Sequence, residues 1–287
     1  MKALSRVFLA VVLGTAAWPV LAARQTAGQT ATPPAAPTTE TWQQFQGPEA
    51  ETFLAKARIR SLKALGTGVT LPEKAELEMN GVRRFAVFKT IDVKNTGITQ
   101  FAKGAAEANF QDSWQLEIPA YIIDRIIGLH MVPATVERTH QGKTGSLQWW
   151  VTSMMSEADR LKKQVAPKDQ EAWTRVYLKM ELFDQLIYNV DRHLNNILVT
   201  EDFDLRLIDH SRSFRAYREL KDPKKLPRFS QSLLDGLQKL EYQDLRKKIG
   251  RYLLDNQIST MLARRDAILA LAKRLVAEKG EAAVIYP

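Results

Sequence analysis

Residues 189–198 read NVDRHLNNIL, and residues 207–210 answer them with LIDH. The first run places Asp191, Arg192, His193 and Asn196 in one short loop; the second sets Asp209 at the end of an apolar run. Asp191 follows a long helical pattern and precedes a short strand, so its loop is fixed at both ends. A carboxylate held in that way can accept a hydrogen bond from a substrate hydroxyl and aim it at phosphorus. Asn196 lies five positions on and offers a neutral oxygen. Asp209 lies eighteen positions on, room for two short strands and a turn to bring it back beside the loop. Two oxygen ligands together with nucleotide phosphates suit Mg²⁺ or Mn²⁺. Arg192 and His193 read as braces of the loop. A rival grouping of His193, Asp209 and His210 as a metal-hydrolase centre leaves Lys89 and Glu117 unexplained and lacks an HExxH-type pair.

Around this stretch the sequence divides into two halves. Behind it, 197–200 and 205–208 form a hairpin. Before it, a helix over 169–188 buries Trp173, Val176, Tyr177, Met180, Phe183 and Ile187. Residues 211–229 carry Arg212, Arg215, Arg218, Lys221, Lys224, Lys225 and Arg228 with little periodicity and read as an exposed basic loop. From Ser230 to Glu278 the pattern is helical throughout.

The N-terminal half is richer in strands. Residues 49–65 have roughly helical apolar spacing, and Gly66 stops the run. Gly66 and Gly68 then offer a loop whose N–H groups could approach phosphates. Asn80-Gly81 is a hairpin turn between strands at 75–79 and 82–90. Lys89, at the end of the second strand, is either solvated or placed to reach nucleotide phosphates. Residues 91–111 are polar and little patterned. A helix then runs from Asp112 or Ser113 to Ile127, Gly128 stops it, and Pro119 puts its regular start near Ile118. Glu117, at that start, is either a surface acid favoured by the helix dipole or an ion-pair partner that orients Lys89. Strands at 131–139 and 145–151 add a second antiparallel pair. The change from strand-rich to helix-rich falls near 152–168.

Composition sets outer bounds. With 45% apolar and 25% charged residues over 287 positions, the chain can bury a sizeable core. The absence of cysteine excludes disulfide scaffolds, thiolate zinc sites and cysteine nucleophiles. Residues 1–22 read as a secretory signal with cleavage near Ala22, an N-terminal membrane anchor being the alternative. Residues 23–47, rich in Thr, Ala, Gln and Pro, read as a linker. The net charge is +9, of which Lys2 and Arg6 carry two, leaving +7 after cleavage. That balance suits anionic partners. The basic run at 212–228 could face an anionic membrane surface.

NVDRHLNNILV followed by LIDHSRSF resembles the catalytic and metal-binding loops of atypical kinases with DRHxxN and ID motifs. These include the phosphatidylinositol 3-/4-kinases, the HipA-type toxin kinases and the secretory-pathway kinases related to Golgi casein kinase and four-jointed. EIPAYIIDRIIGLHMVPATVERT (117–139), then GSLQ (145–148), is similar to the secretory-pathway group, and AVFKT (86–90) to its phosphate-contacting Lys strand. The resemblance implies an α+β, two-lobed protein-kinase-like fold over 48–287, with a strand-rich N-lobe (about 48–152) and a mostly helical C-lobe (about 153–287). It implies Asp191 as catalytic base, Asn196 and Asp209 as metal ligands, Lys89 on the phosphates of ATP and Glu117 paired with it. The acceptor would be a hydroxyl on a protein, lipid or small molecule, and no nucleic-acid partner is expected. An inactive nucleotide-binding module and a nucleotidyl (AMP) transferase are the alternatives on the same fold. His210-Ser211 departs from the Phe-Gly or Asn-Gly that usually follows the metal-binding Asp.

Overall fold

The Asn80-Gly81 turn sets the register of the first hairpin. Both residues take left-handed backbone angles, φ 52° and 77°, as a two-residue hairpin turn of matching twist requires. In a computed structural model that describes residues 46–66, 72–95, 97–100 and 106–287, the chain starts with α1 (Pro48–Lys56) and β1 (Arg58–Ala64). The hairpin follows as β2 (Glu73–Met79) and β3 (Val82–Lys89). The single helix expected over 49–65 is therefore corrected: it stops at Lys56, and residues 58–64 are strand. Ile59 is the buried residue of β1, while Arg58, Lys63 and Ala64 face solvent, the charged pattern of an exposed edge strand.

Residues 91–113 are also more ordered than their sequence suggests. β4 (Asp92–Lys94), β5 (Ile98–Gln100), β6 (Ala106–Ala108) and β7 (Gln111–Ser113) make two small ladders, β4 with β7 and β5 with β6. A 3-10 turn over Trp114–Leu116 leads into α2 (Glu117–Ile127), which Gly128 ends at φ 74°. Pro119 falls in the first turn of α2, where its missing N–H costs nothing. β8 (Thr135–His140) and β9 (Lys143–Trp149) complete an antiparallel sheet of order β1-β2-β3-β9-β8. α1 and α2 cover this sheet, and the Phe53 and Trp149 rings meet edge to face at 5.7 Å.

The remainder is mostly helical. β10 (Met155–Ser156), α3 (Glu157–Lys162) and α4 (Gln170–Ile187) come first. Asp169 caps α4, its Oδ1 accepting from the Glu171 and Ala172 N–H groups. β11 (Ile197–Val199) and β12 (Leu205–Leu207) form the expected hairpin, with β10 added at its edge. Then come β13 (Phe229–Ser230), α5 (Gln231–Leu237), α6 (Tyr242–Ile249), α7 (Asp255–Lys279), α8 (Glu281–Val284) and β14 (Ile285–Tyr286), the last strand parallel to β13. Arg264 of α7 is fully buried and donates from Nε to the Leu186 carbonyl at 2.9 Å and from Nη1 to the Arg215 carbonyl at 3.1 Å. It thus ties the end of α4 to the segment after Asp209.

The architecture is mixed α/β, strand-rich in its N-terminal part and helical in its C-terminal part. Among the described residues no helix is long and apolar enough to cross a membrane. The expected signal segment at 1–22, most of the expected linker at 23–47, and Gly68 lie outside the described residues.

Candidate active site

Lys89 reaches the site from the last position of β3, and pairing between Lys89 and Ser146 of β9 fixes its backbone. Its Nζ lies 2.6 Å from Glu117 Oε1 and 2.9 Å from Asp209 Oδ1. Glu117 comes from the first turn of α2, 28 positions along the chain, and Asp209 from the end of β12, 120 positions along. Both Lys89 and Glu117 are buried. Burial opposes charging Lys89, but the two carboxylates outweigh it and hold the ammonium above its ordinary range. Burial likewise opposes charging Glu117, and Lys89 and His210 overcome it, pushing the acid well below the usual carboxylate range. Lys89 and Glu117 are thus buried charges that keep each other ionised, and Asp209, its side chain 30% exposed, is the second acid on the ammonium.

Asp209 adopts φ 61°, a left-handed conformation uncommon for residues other than glycine. Its neighbours hold it there. Ser211 Oγ donates to Asp209 Oδ1 at 3.0 Å, and the His210 N–H donates to Glu117 Oε2 at 3.1 Å. His210 is fully buried, and burial lowers its pKa. Arg192 Nη2 lies 2.9 Å from His210 Nε2. Since a guanidinium can only donate, Nε2 must accept, which leaves the ring proton on Nδ1, 3.5 Å from Glu117 Oε2. His210 and Ser211 therefore hold both acids that flank Lys89.

The loop carrying Asp191 is clamped from beneath. Arg192 forks onto Asp184 of α4, Nε to Oδ2 at 2.9 Å and Nη2 to Oδ1 at 3.1 Å. Its Nη1 donates to the Asn196 carbonyl at 3.1 Å and the Ile208 carbonyl at 2.7 Å. With the His210 contact, all five guanidinium protons are used inside the protein. Asn189 joins the clamp, donating to Asp184 Oδ1 and accepting from the Asp191 N–H. Asp191 itself stays partly open, its side chain 39% exposed. Asn196 is buried, its Nδ2 donates to the Asp191 carbonyl at 3.3 Å, and its Oδ1 accepts no hydrogen bond among the described residues. The Ile208 N–H bonds the Asn196 carbonyl at 3.1 Å, which sets Asn196 beside the backbone leading into Asp209.

These contacts bring Lys89, Glu117 and Asp209 together and hold the Asp191–Asn196 loop against the chain entering Asp209. Gly66 takes φ 67°, in a turn that the Leu65 N–H closes onto the Pro72 carbonyl at 3.0 Å; Gly68 lies outside the described residues. The rival hydrolase grouping is not assembled: His193 is exposed, His210 is buried against Arg192 and Glu117, and Asp209 pairs with Lys89. No group of three or more His, Cys, Asp or Glu able to hold a metal is found among the described residues.

Four residues of the site escaped the sequence reading or were read otherwise. Asp184 gave one signal, an acid in the last turn of α4, where the helix dipole disfavours it; its Arg192 partner accounts for it. Asp112, read with Ser113 as the alternative helix caps, is buried near Asp209 and Ser211, and burial raises its pKa; of the two, Ser113 makes the cap. Arg212 and Arg215, expected in an exposed basic loop, turn inward, and both pair with Glu107 of β6. Arg218, Lys221, Lys224 and Lys225 of that run are exposed as expected, whereas Arg228 is half-buried and pairs with Glu171.

No model of a known protein family matches the sequence, and no curated protein matches it. Solved structures do match. Golgi casein kinase with Mn and ADP bound aligns at TM-score 0.58 and 13% identity, over 85% of this chain and 83% of that one. Another structure of Golgi casein kinase aligns at 0.57 and 13% identity, over 87% and 83%. The Helicobacter pylori proinflammatory kinase CtkA aligns at 0.51 and 13% identity, over 79% and 98%. The fold is kinase-like. On a kinase-like fold the sheet supplies Lys89 and α2 supplies Glu117, while the helical part supplies Asp191, Asn196 and Asp209 from loops on either side of β11 and β12.

Proposed function

We propose that the chain is a metal-dependent ATP phosphotransferase that acts on a hydroxyl of a protein or other exported molecule. The observation that carries this reading is the meeting of Lys89, Glu117 and Asp209 from elements far apart in sequence, above a loop that leaves Asp191 open. Lys89, oriented by Glu117, contacts the nucleotide phosphates. Asp191 accepts the acceptor hydroxyl's hydrogen bond and directs its oxygen toward the γ-phosphorus. Arg192, with no proton left to donate, keeps the loop in position.

The donor chemistry fits a divalent cation. Among the described residues Asn196 Oδ1 accepts nothing, and Asp209 keeps an oxygen beyond the one shared by Lys89 and Ser211. Both are hard oxygen ligands of the kind Mg²⁺ and Mn²⁺ prefer, with phosphates and water completing the shell. The site groups named above also comprise six carboxylates (Glu107, Asp112, Glu117, Asp184, Asp191, Asp209) against four cations (Lys89, Arg192, Arg212, Arg215), an anionic excess that a bound cation offsets. When bound, the metal neutralises phosphate charge as the phosphoryl group moves.

The test is direct. Purified protein with γ-labelled ATP and Mg²⁺ or Mn²⁺ is expected to label itself or a generic acceptor. Asp191→Ala and Asp209→Ala should each abolish labelling; unchanged labelling in either would sink the assignment. Transfer from α-labelled ATP instead indicates nucleotidyl transfer. One observation favours a second reading, a nucleotide-binding module without turnover: Asp209 and Asp191 both face cations of the protein itself, Lys89 and Arg212. Nucleotide-dependent thermal shifts with no product would support it. Export after cleavage near Ala22, with a kinase-like domain over 48–287, belongs to the same proposal. The mass of the mature chain tests the cleavage. Contact of the basic run 212–228 with anionic lipid rests on the exposed Arg218, Lys221, Lys224 and Lys225, and vesicle co-sedimentation tests it.

A further inference from the structure

Two arginines flank Asp191, and they differ in what they can still donate. Arg192 has every proton committed. Arg212 does not: Nη2 pairs with Glu107 Oε2, and among the described residues Nε is buried without a partner and Nη1 faces Asp191 Oδ2 at 3.5 Å without a hydrogen bond. The guanidinium also lies over the Phe110 ring, 5.2 Å from its centroid. It is therefore held on two sides and open on the third, toward the carboxylate proposed to aim the nucleophile.

The hold comes from the other part of the fold. Glu107 bridges Arg212 and Arg215 with its two oxygens, and Arg215 Nη1 donates to the Asn109 carbonyl. Gln111 Nε2 donates to the Ser213 carbonyl at 2.7 Å, and the Ser113 N–H to the Ser211 carbonyl at 3.0 Å. Residues 107–113 thus lie along residues 211–215 and fix the backbone that presents Arg212. Glu107 is shared by two guanidiniums, and Arg212 turns its Nη1 toward Asp191.

Resting on the phosphotransferase reading above, we propose that Arg212 is a further catalytic residue, which contacts the phosphoryl group as it passes from nucleotide to acceptor, and that Glu107 is its positioning residue. Transferred phosphoryl groups spread negative charge over their equatorial oxygens, and a preorganised planar cation there stabilises the transition state. In the free protein Arg212 rests against Asp191; with ATP bound its Nη1 turns to the γ-phosphoryl oxygens, which releases Asp191 to the acceptor hydroxyl. No bond to Arg212 forms or breaks, and the acceptor proton leaves by way of Asp191.

The experiment compares binding of ADP with that of a non-hydrolysable ATP analogue, each with Mg²⁺, by calorimetry on the whole mature chain. Wild type is expected to favour the ATP analogue. Arg212→Gln should lose about tenfold in analogue affinity and keep its ADP affinity, and phosphotransfer should fall on the order of a thousandfold. Arg212→Lys, which keeps the charge and loses the fork, should lie between, and Glu107→Gln should lose part of the discrimination with ADP binding unchanged. Equal loss of ADP and analogue binding, or faster transfer in Arg212→Gln, overturns the role of Arg212 alone. No nucleotide binding by wild type overturns the phosphotransferase reading, and the role of Arg212 falls with it.

Discussion

Substituting Arg192 removes a fork onto Asp184 and three further bonds in one step, and Asp184 is left buried with its charge uncompensated. Arg192→Ala should destabilise the protein by about 3–5 kcal/mol, the usual cost of breaking one side of a buried pair. Urea denaturation measures it. Arg192→Lys should recover little, because an ammonium cannot reproduce the planar fork. The Lys89–Glu117 pair has a different signature. Glu117 is held below its ordinary range, so its contribution is present above about pH 4.3 and is lost as pH falls through the lowered value. Lys89 is held above its ordinary range, so its contribution is complete below about pH 10.4 and is lost only above that. Between pH 5 and 9 the pair should add no slope to nucleotide affinity. If Glu117→Gln creates a new ionisation of Lys89 within that window, the two groups are coupled as described.

The elements that carry these residues were legible to different degrees. The Asn80-Gly81 hairpin, α2 with its Gly128 stop, α4 with its Asp169 cap and the β11–β12 hairpin follow from local chemistry, and each lies within a few residues of its expected place. β1 did not, because Phe53, Leu54 and Ala57 set a helical spacing that Leu62 and Leu65 continue by accident; pairing with β2, not local pattern, makes residues 58–64 a strand. The three-residue strands of 91–113 are too short to show a period of two, and their role is fixed by Glu107, whose partners lie 105 and 108 positions away. Two predictions belong here. Gly145 of β9 packs directly on the Lys89 carbonyl, where a Cβ would overlap the oxygen. Gly145→Ala should displace the end of β3, costing about 1–3 kcal/mol, and should weaken nucleotide binding, read by calorimetry. In α2, Asp124 Oδ1 accepts from the Met131 and Val132 N–H groups, and burial pushes this acid up to about 7. A raised folded value means the native state holds the proton more tightly, so this contribution is full below about pH 3.9 and is lost as pH rises toward 7. Asp124→Asn should flatten thermal stability across that interval; an unchanged slope would assign it to other groups.

In the whole molecule, the kinase-like architecture was readable because two short motifs and a change of period from strand to helix fall in a fixed order along the chain. The electrostatics beneath Asp191 were not, since Glu107 and Asp112 acquire partners only when distant segments meet, and Asp184 meets Arg192 only across the turn that ends α4. The spacing of those partners also bears on how the protein reaches its native state. Lys89 and Asp209 are 120 residues apart, and Glu107 and Arg212 are 105 apart; closing such loops is entropically costly and slow relative to hairpin and helix formation. During refolding, sheet and helix signals should therefore recover before the ability to bind nucleotide. A stopped-flow comparison of far-ultraviolet circular dichroism with a fluorescent nucleotide would show the lag. The site would then report the last stage of folding, and a chain caught short of it would carry every element of the fold while remaining blind to its ligand.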